Sequence, residues 1–169
     1  RDRDVTGVQT CALPISPLSN LRTDGYGGSF ENRARVLREI IGAVRGEMPA
    51  EMPLFLRISA SEWIEGGWTI EDSVALARMV GPLGVDLIDA SSGGNSLQAK
   101  IAVGPGYQVP FAARIKQETG MLTGAVGMIT TPRLTGPPSR PSALRARSSA
   151  HRTRAPQRLD KKVRSDSER

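Results

Sequence analysis

Three apolar segments recur along the middle of the chain, and one helical pattern separates each from the next. They begin near residues 54, 85 and 122. A spacing of roughly 30 residues or a little more is typical of successive βαβ units. Right-handed crossovers then make the strands parallel. We therefore predict an α/β fold with parallel strands at 54–59, 85–90 and 122–128.

The intervening patterns predict the helices. Residues Glu31–Arg45 repeat apolar side chains on one helical face. The second pattern opens with Thr69 and Asp72, which have the spacing of a capping box, and stops at Gly81. The third helical pattern covers Val109–Glu118. The expected element order is α-β-α-β-α-β.

The first predicted strand contains a cation. Pro53–Ala60 has bulky apolar residues on both faces, which favours a strand buried on both sides. Arg57 interrupts this run, and arginine is rarely buried without a partner. It lies near the end of the strand where α/β proteins bind ligands. Two interpretations stay open: a contact with an anionic ligand, or an internal ion pair with Asp89 or Glu62.

Charge divides the chain into unlike parts. Residues 16–132 carry ten basic and twelve acidic residues, a net charge of −2. Residues 133–169 carry eleven basic and three acidic residues, a net charge of +8, with no Phe, Tyr or Trp. Such a segment has too little apolar surface to offset its ordering entropy, so we predict a disordered tail. A basic arm for nucleic acid is one interpretation. The lack of aromatic residues for base stacking argues against that interpretation. We favour translation out of frame, because reading a GC-rich gene out of frame yields the mixture of Arg, Pro, Ser and Ala that dominates here.

The beginning of the chain has its own signature. Val5–Ile15, VTGVQTCALPI, matches the translation of a common sequencing-adapter oligonucleotide. We therefore expect residues 1–15 to be non-native and to make few contacts with the rest. The single cysteine, Cys11, excludes an internal disulfide and any multi-cysteine metal site. No apolar run approaches the ~18 residues of a membrane span, so no membrane association is predicted.

Six sequence blocks occur in one register between residues 16 and 130. They read SPLSNLRTDGYGGSFENR, FLRISA, WIEGGW, GVDLIDASSGG, VGPGYQVPFA and TGAVGMIT. Together they resemble the Old Yellow Enzyme family, especially its bacterial NADPH dehydrogenases. The resemblance implies a TIM barrel that holds FMN at its C-terminal mouth. Because a closed (β/α)₈ barrel takes ~250 residues, residues 16–132 are expected to form a partial barrel of about three βα units.

The resemblance also implies site residues. It places Arg57 at the pyrimidine edge of FMN, and Val126 and Gly127 where backbone N–H groups approach the FMN phosphate. The family's substrate-binding pair, His-x-x-His or His-x-x-Asn, precedes the SPLSN block, where this chain has Cys11–Ile15. No catalytic residue and no metal ligand is therefore predicted here.

The activity implied by the resemblance is reduction of activated C=C bonds in α,β-unsaturated carbonyl compounds. The hydride would come from NADPH or NADH through FMN, and the partner would be a small enone-type substrate. We expect a cytoplasmic parent enzyme, with a homo-oligomer left open, of which this chain is an internal fragment without activity of its own. The alternatives are a basic nucleic-acid-binding protein acting through residues 133–169, and another phosphate-binding TIM-barrel enzyme.

Overall fold

The structure is a computed structural model, and it describes the backbone of Gly7–Gln9 and the whole of residues 14–129. The predictions for Cys11 and for the basic segment 133–169 lie outside the described residues. Within the described part, no helix has the length and apolar character needed to cross a lipid bilayer.

Four parallel strands form one sheet in the order β1-β2-β3-β4. They are β1 (Gly7–Gln9), β2 (Phe55–Ser59), β3 (Leu87–Ser91) and β4 (Leu122–Ala125). The prediction of three parallel strands separated by helices is confirmed. The last strand is shorter than the predicted 122–128, because the backbone leaves extended geometry near Gly127, whose φ is +103°.

The helices cover one face of this sheet. They are α1 (Phe30–Arg33), α2 (Arg35–Glu47), α3 (Ile70–Val80) and α4 (Val109–Thr119), with a 3₁₀ turn at Gly81–Leu83. The predicted capping box of α3 is present, since Thr69 and Asp72 exchange side-chain and backbone hydrogen bonds. The predicted helix Glu31–Arg45 is divided at Ala34, which caps α1 and begins α2.

Burial alternates along β2. Leu56 and Ile58 are each 1% exposed beneath the helices, whereas Phe55 on the other face is 45% exposed. The prediction of a strand buried on both faces is therefore wrong for the described residues. The physical reason is that the helices pack on one face only. The second face, which would point into the interior of a closed barrel, carries rows of register partners: Phe55, Leu87 and Leu122 in one, Arg57, Asp89 and Gly124 in the next.

The prediction that residues 1–15 make few contacts with the rest is also wrong where the structure describes them. Gly7–Gln9 pairs with Phe55–Arg57 as a fourth parallel strand. Ile15 is 2% exposed and belongs to the hydrophobic core. Its carbonyl accepts a hydrogen bond from Arg33 Nε at 2.8 Å. An apolar side chain in reach of a forming core is buried whatever its origin, because removing its surface from water is favourable.

Candidate functional site

The C-terminal ends of β2 and β3 are joined by hydrogen bonds that continue beyond the sheet. The N–H of Ala60 donates to the carbonyl of Ser91 at 2.7 Å, and the N–H of Gly93 donates to the carbonyl of Ser61 at 2.7 Å. The hydroxyl of Ser59 donates to the carbonyl of Gly93 at 3.0 Å. The loops after both strands therefore leave the sheet side by side at the edge where α/β proteins bind ligands.

Arg57 lies on the sheet face opposite the helices, close to this edge. Its side chain is 44% exposed, and its Nη1 lies 3.6 Å from Oδ2 of Asp89, its register partner on β3. The ion pair that the sequence allowed with Asp89 is thus present, and the one with Glu62 is not. Gly124, the next member of the row, has no side chain, and the carboxylate of Asp89 lies over it, 3.2 Å from where a Cβ would stand. A guanidinium has five donors, and among residues 14–129 Asp89 is the one acidic partner of Arg57, so donors remain for a ligand.

Val126 and Gly127 follow β4, where the chain turns away from the sheet. A side chain at Gly127 would put its Cβ 2.6 Å from Nε2 of Gln108 and 2.7 Å from the ring of Tyr107. The amide of Gln108 in turn donates to the carbonyl of Val126 at 3.1 Å. Both the positive φ and the close approach of the start of α4 therefore require glycine here.

The three predicted site residues lie toward the same edge of the sheet, in two groups. Arg57 is on β2, whereas Val126 and Gly127 follow β4, with β3 between them. Because β3 lies between them, the two groups are separated by two strand spacings, which is roughly 10 Å. A ligand that contacted both groups would have to be elongated, with an anionic or acceptor-rich part toward Arg57.

Sequence reasoning missed the role of Glu62. The structure withdraws this side chain from water, at 1% exposure, and turns it away from Arg57 toward Trp68 and Asn95. A glutamate in a loop normally points into solvent, and the sequence suggested an internal place for this one only as a partner of Arg57, which it is not.

The loop from Ser16 to Ser29 carries the clearest electrostatic perturbation. Arg22 pairs with Asp24, and its side-chain hydrogen bonds lower the pKa of that carboxyl from 3.8 to about 2. The N–H of Tyr26 adds to the shift, because it also donates to Asp24. Within residues 14–129, no three His, Cys, Asp or Glu side chains gather to hold a metal ion.

Comparison with known proteins decides the family. The family model described as "NADH:flavin oxidoreductase / NADH oxidase family" matches residues 14–136. The chain belongs to this family. Its match begins two residues before the predicted start at 16 and runs four residues past 132, and it confirms the Old Yellow Enzyme resemblance.

Several curated relatives of this family member are NADPH dehydrogenases. The one from Halalkalibacterium halodurans is 52% identical over 117 residues, which cover 69% of this chain and 34% of that protein. The one from Bacillus subtilis is 53% identical over 116 residues, which cover 69% of this chain and 33% of that protein. The chain therefore spans about a third of the length of the curated relatives it matches.

Two solved structures align with most of this chain. A 2-naphthoyl-CoA reductase complex aligns with a TM-score of 0.66 and 31% identity, over 76% of this chain and 21% of that one. Morphinone reductase aligns with a TM-score of 0.54 and 21% identity, over 75% of this chain and 35% of that one, which supports the fold alone. The described residues are an α/β region with a parallel sheet, not a whole barrel.

FMN, with a nicotinamide as hydride donor, is the cofactor set that the family implies. The residues present fit such a group. Arg57 offers a part-exposed cation on the sheet face that the helices leave open, and Gly127 follows β4 without a side chain of its own.

Proposed function

We propose that residues 14–129 form part of the FMN-binding barrel of an NAD(P)H-dependent oxidoreductase that reduces activated C=C bonds of α,β-unsaturated carbonyl compounds. The observation that carries the proposal is the position of Arg57, a half-exposed cation on the barrel-interior face of a parallel strand. Bound FMN would supply the hydride chemistry, taking two electrons from NAD(P)H and passing them to the substrate. The chain's contribution is to hold and tune that cofactor.

The positive charge of Arg57 would allow it to tune the reduction potential of bound FMN. Reduced flavin carries a negative charge that oxidised flavin lacks, so a fixed cation at its pyrimidine edge favours the reduced form. Asp89 at 3.6 Å orients the guanidinium and offsets part of its charge. The two interpretations left open by the sequence are therefore compatible, because a guanidinium paired with Asp89 would still have donors for a bound flavin.

Val126 and Gly127 have backbone N–H groups that could contact the FMN phosphate. Phosphate sites are built from backbone N–H groups that a side chain would obstruct. Gly127 adopts a φ that favours glycine and has no side chain of its own. Gln108 and Tyr107 fill the position of a Cβ, so a phosphate would approach the backbone from another side. We propose that this turn approaches the FMN phosphate, as the family resemblance implies.

The remaining strands of the barrel would supply the rest of the site, including the groups that bind the substrate carbonyl. We therefore propose activity for the complete cytoplasmic enzyme and not for these 169 residues alone. We also propose that residues 1–15 are adapter-derived, on the match of Val5–Ile15 to an oligonucleotide translation, and that residues 133–169 are out of frame, on their composition. A nucleic-acid-binding function through residues 133–169 is not favoured, because the family match accounts for most of the chain.

A chimera tests the proposal. Residues 14–129 replace the segment that they match in the Bacillus subtilis NADPH dehydrogenase, so that the relative completes the barrel. We expect the purified chimera to retain FMN and to oxidise NADPH when cyclohexenone is added. Arg57→Ala should weaken FMN retention or slow turnover. Arg78→Ala is the matched control, since that side chain is 59% exposed on α3 and pairs with Glu118.

Two results would count against the function. A folded chimera that retains no FMN would show that these residues cannot complete the flavin site. An Arg57→Ala chimera that matches the Arg78→Ala control in FMN content and turnover would remove the observation on which the proposal rests.

A further inference from the structure

Glu62 is the one buried acidic side chain in the described part of the chain, with 1% exposure. It lies in the loop that follows β2. None of the ion pairs among residues 14–129 includes it. A carboxyl group withdrawn from water without a cation is costly unless hydrogen bonds satisfy its oxygens. Its partners therefore indicate what it does.

One oxygen of Glu62 closes its own loop. Oε2 accepts the backbone N–H of Trp68 at 2.7 Å, and the N–H of Glu62 donates to the carbonyl of Trp68 at 2.9 Å. Gly67 lies against this arrangement, since a Cβ there would come 2.7 Å from Oε2. The loop is thus folded tightly around the carboxyl group.

The other oxygen reaches the loop after β3. Oε1 accepts a hydrogen bond from Nδ2 of Asn95. The same amide nitrogen lies 2.7 Å from the hydroxyl of Ser19 and 3.2 Å from that of Ser16, in a loop nearly 80 residues earlier. Ser16 is itself fully buried. One carboxyl group and one amide therefore connect three loops, which we call the rim loops: 16–29, 60–69 and 92–108.

We infer that Glu62 is a positioning residue for the flavin site, which it serves by fixing the three rim loops at the edge of the sheet near Arg57. This inference rests on the proposed function. Glu62 contacts no site residue directly and acts through Trp68 and Asn95. Reactions that depend on orientation are sensitive to small displacements, and a shift of ~1 Å can cost about a hundredfold in rate.

The Glu62→Gln variant tests the carboxyl group with almost no change in shape. A carboxylate accepts from both sides, whereas a carboxamide has one accepting and one donating end. The introduced carboxamide would therefore turn a donor toward either the N–H of Trp68 or the amide of Asn95. In the chimera, we expect kcat/KM for cyclohexenone to fall by about ten- to a hundredfold, mainly through KM. Glu65→Gln, in the same loop but exposed, is the matched control and should change neither constant.

A reversed pair distinguishes positioning from simple loss of stability. In Glu62→Gln with Asn95→Asp, the new amide donates to the new carboxylate and its oxygen still accepts the N–H of Trp68. The hydroxyls of Ser16 and Ser19 can rotate to donate to that new carboxylate. We expect the double variant to recover KM to within a few-fold of the parent chimera, while Asn95→Asp alone stays impaired.

Amide hydrogen exchange on the 169-residue chain supplies a readout that needs no flavin. The N–H of Trp68 should exchange slowly in the unmodified chain, faster after Glu62→Gln and slowly again in the reversed pair. The inference is overturned if the parent chimera works and Glu62→Gln equals Glu65→Gln in KM, or if the reversed pair is no better than either single variant. A parent chimera without FMN overturns the proposed function and the positioning role together. The Trp68 exchange rates then show only whether Glu62 holds its loop through this hydrogen bond.

Discussion

Arg57 and Asp89 are register partners on neighbouring parallel strands, and their charged groups lie 3.6 Å apart on the sheet face that the helices leave open. The pair is part exposed, at 44% and 26% for the two side chains. An exposed pair of this kind adds little to stability. The two charges lie beside the proposed flavin position. The cation should raise the flavin potential and the carboxylate should lower it.

Replacing Arg57 by alanine should lower the flavin potential of the chimera. Loss of a charge-assisted contact of about 1.5–3 kcal/mol corresponds to roughly 30–65 mV for a two-electron couple. Arg57→Lys should have a smaller effect, since it keeps the charge and loses the planar fork. A redox titration of bound FMN measures the shift, and an unchanged potential with FMN still bound would assign Arg57 to the ion pair alone.

Replacing Asp89 by asparagine should raise the same potential. The carboxylate opposes the negative charge of reduced flavin and offsets part of the guanidinium charge, so its removal favours the reduced form. The titration used for Arg57 applies here too. A lowered potential would mean that the main effect of Asp89 is to orient the guanidinium.

A methyl group at Gly127 should destabilise the fold. The backbone there has φ +103°, and a Cβ would meet Gln108 at 2.6 Å and Tyr107 at 2.7 Å. We expect Gly127→Ala to cost about 1–3 kcal/mol of unfolding free energy from backbone strain, with the clash adding to it. Urea denaturation of the 169-residue chain measures the loss. Gly120→Ala is the control, because its φ is +72° with no atom within 4 Å of the Cβ, so it reports strain without a clash.

Loss of the cap of α3 should also weaken the fold. The hydroxyl of Thr69 accepts the N–H of Asp72 at 3.2 Å, and the carboxylate of Asp72 accepts the N–H of Thr69 at 2.9 Å. Thr69→Ala should reduce the unfolding free energy by about 1 kcal/mol. Thr69→Ser keeps the hydroxyl and should stay close to the parent. Equal denaturation midpoints for the two variants would show that the cap contributes nothing measurable.

The Arg22–Asp24 pair should make the loop 16–29 sensitive to acid. The pKa of Asp24 is lowered from 3.8 to about 2 in the folded chain. A lowered folded-state pKa stabilises the fold above the unfolded value, and that contribution disappears as the pH falls from about 4 to about 2. A carboxyl NMR titration should place the midpoint near 2. In Arg22→Ala the midpoint should return toward 3.8, and a midpoint near 3.8 in the parent chain would refute the pairing in solution.

Local sequence patterns were sufficient for the elements and their direction. The period of the apolar residues predicted the helices and three of the four strands, and Thr69 with Asp72 marked a helix start correctly. Crossover handedness then required the strands to be parallel. The anomaly of one arginine in an apolar strand was visible in the sequence alone, as were the six blocks that indicated the family.

Only the tertiary structure decided which groups meet. That Arg57 lies opposite Asp89, that Gly127 abuts Gln108, and that Ile15 enters the core depend on strand register and on chain turns that no local pattern encodes. The burial of Glu62 is the clearest case, since its partner Asn95 is 33 residues away and both lie in loops without periodicity. A residue's periodicity depends on its sequence neighbours, whereas its hydrogen bonds and burial depend on segments that folding brings together from distant parts of the chain.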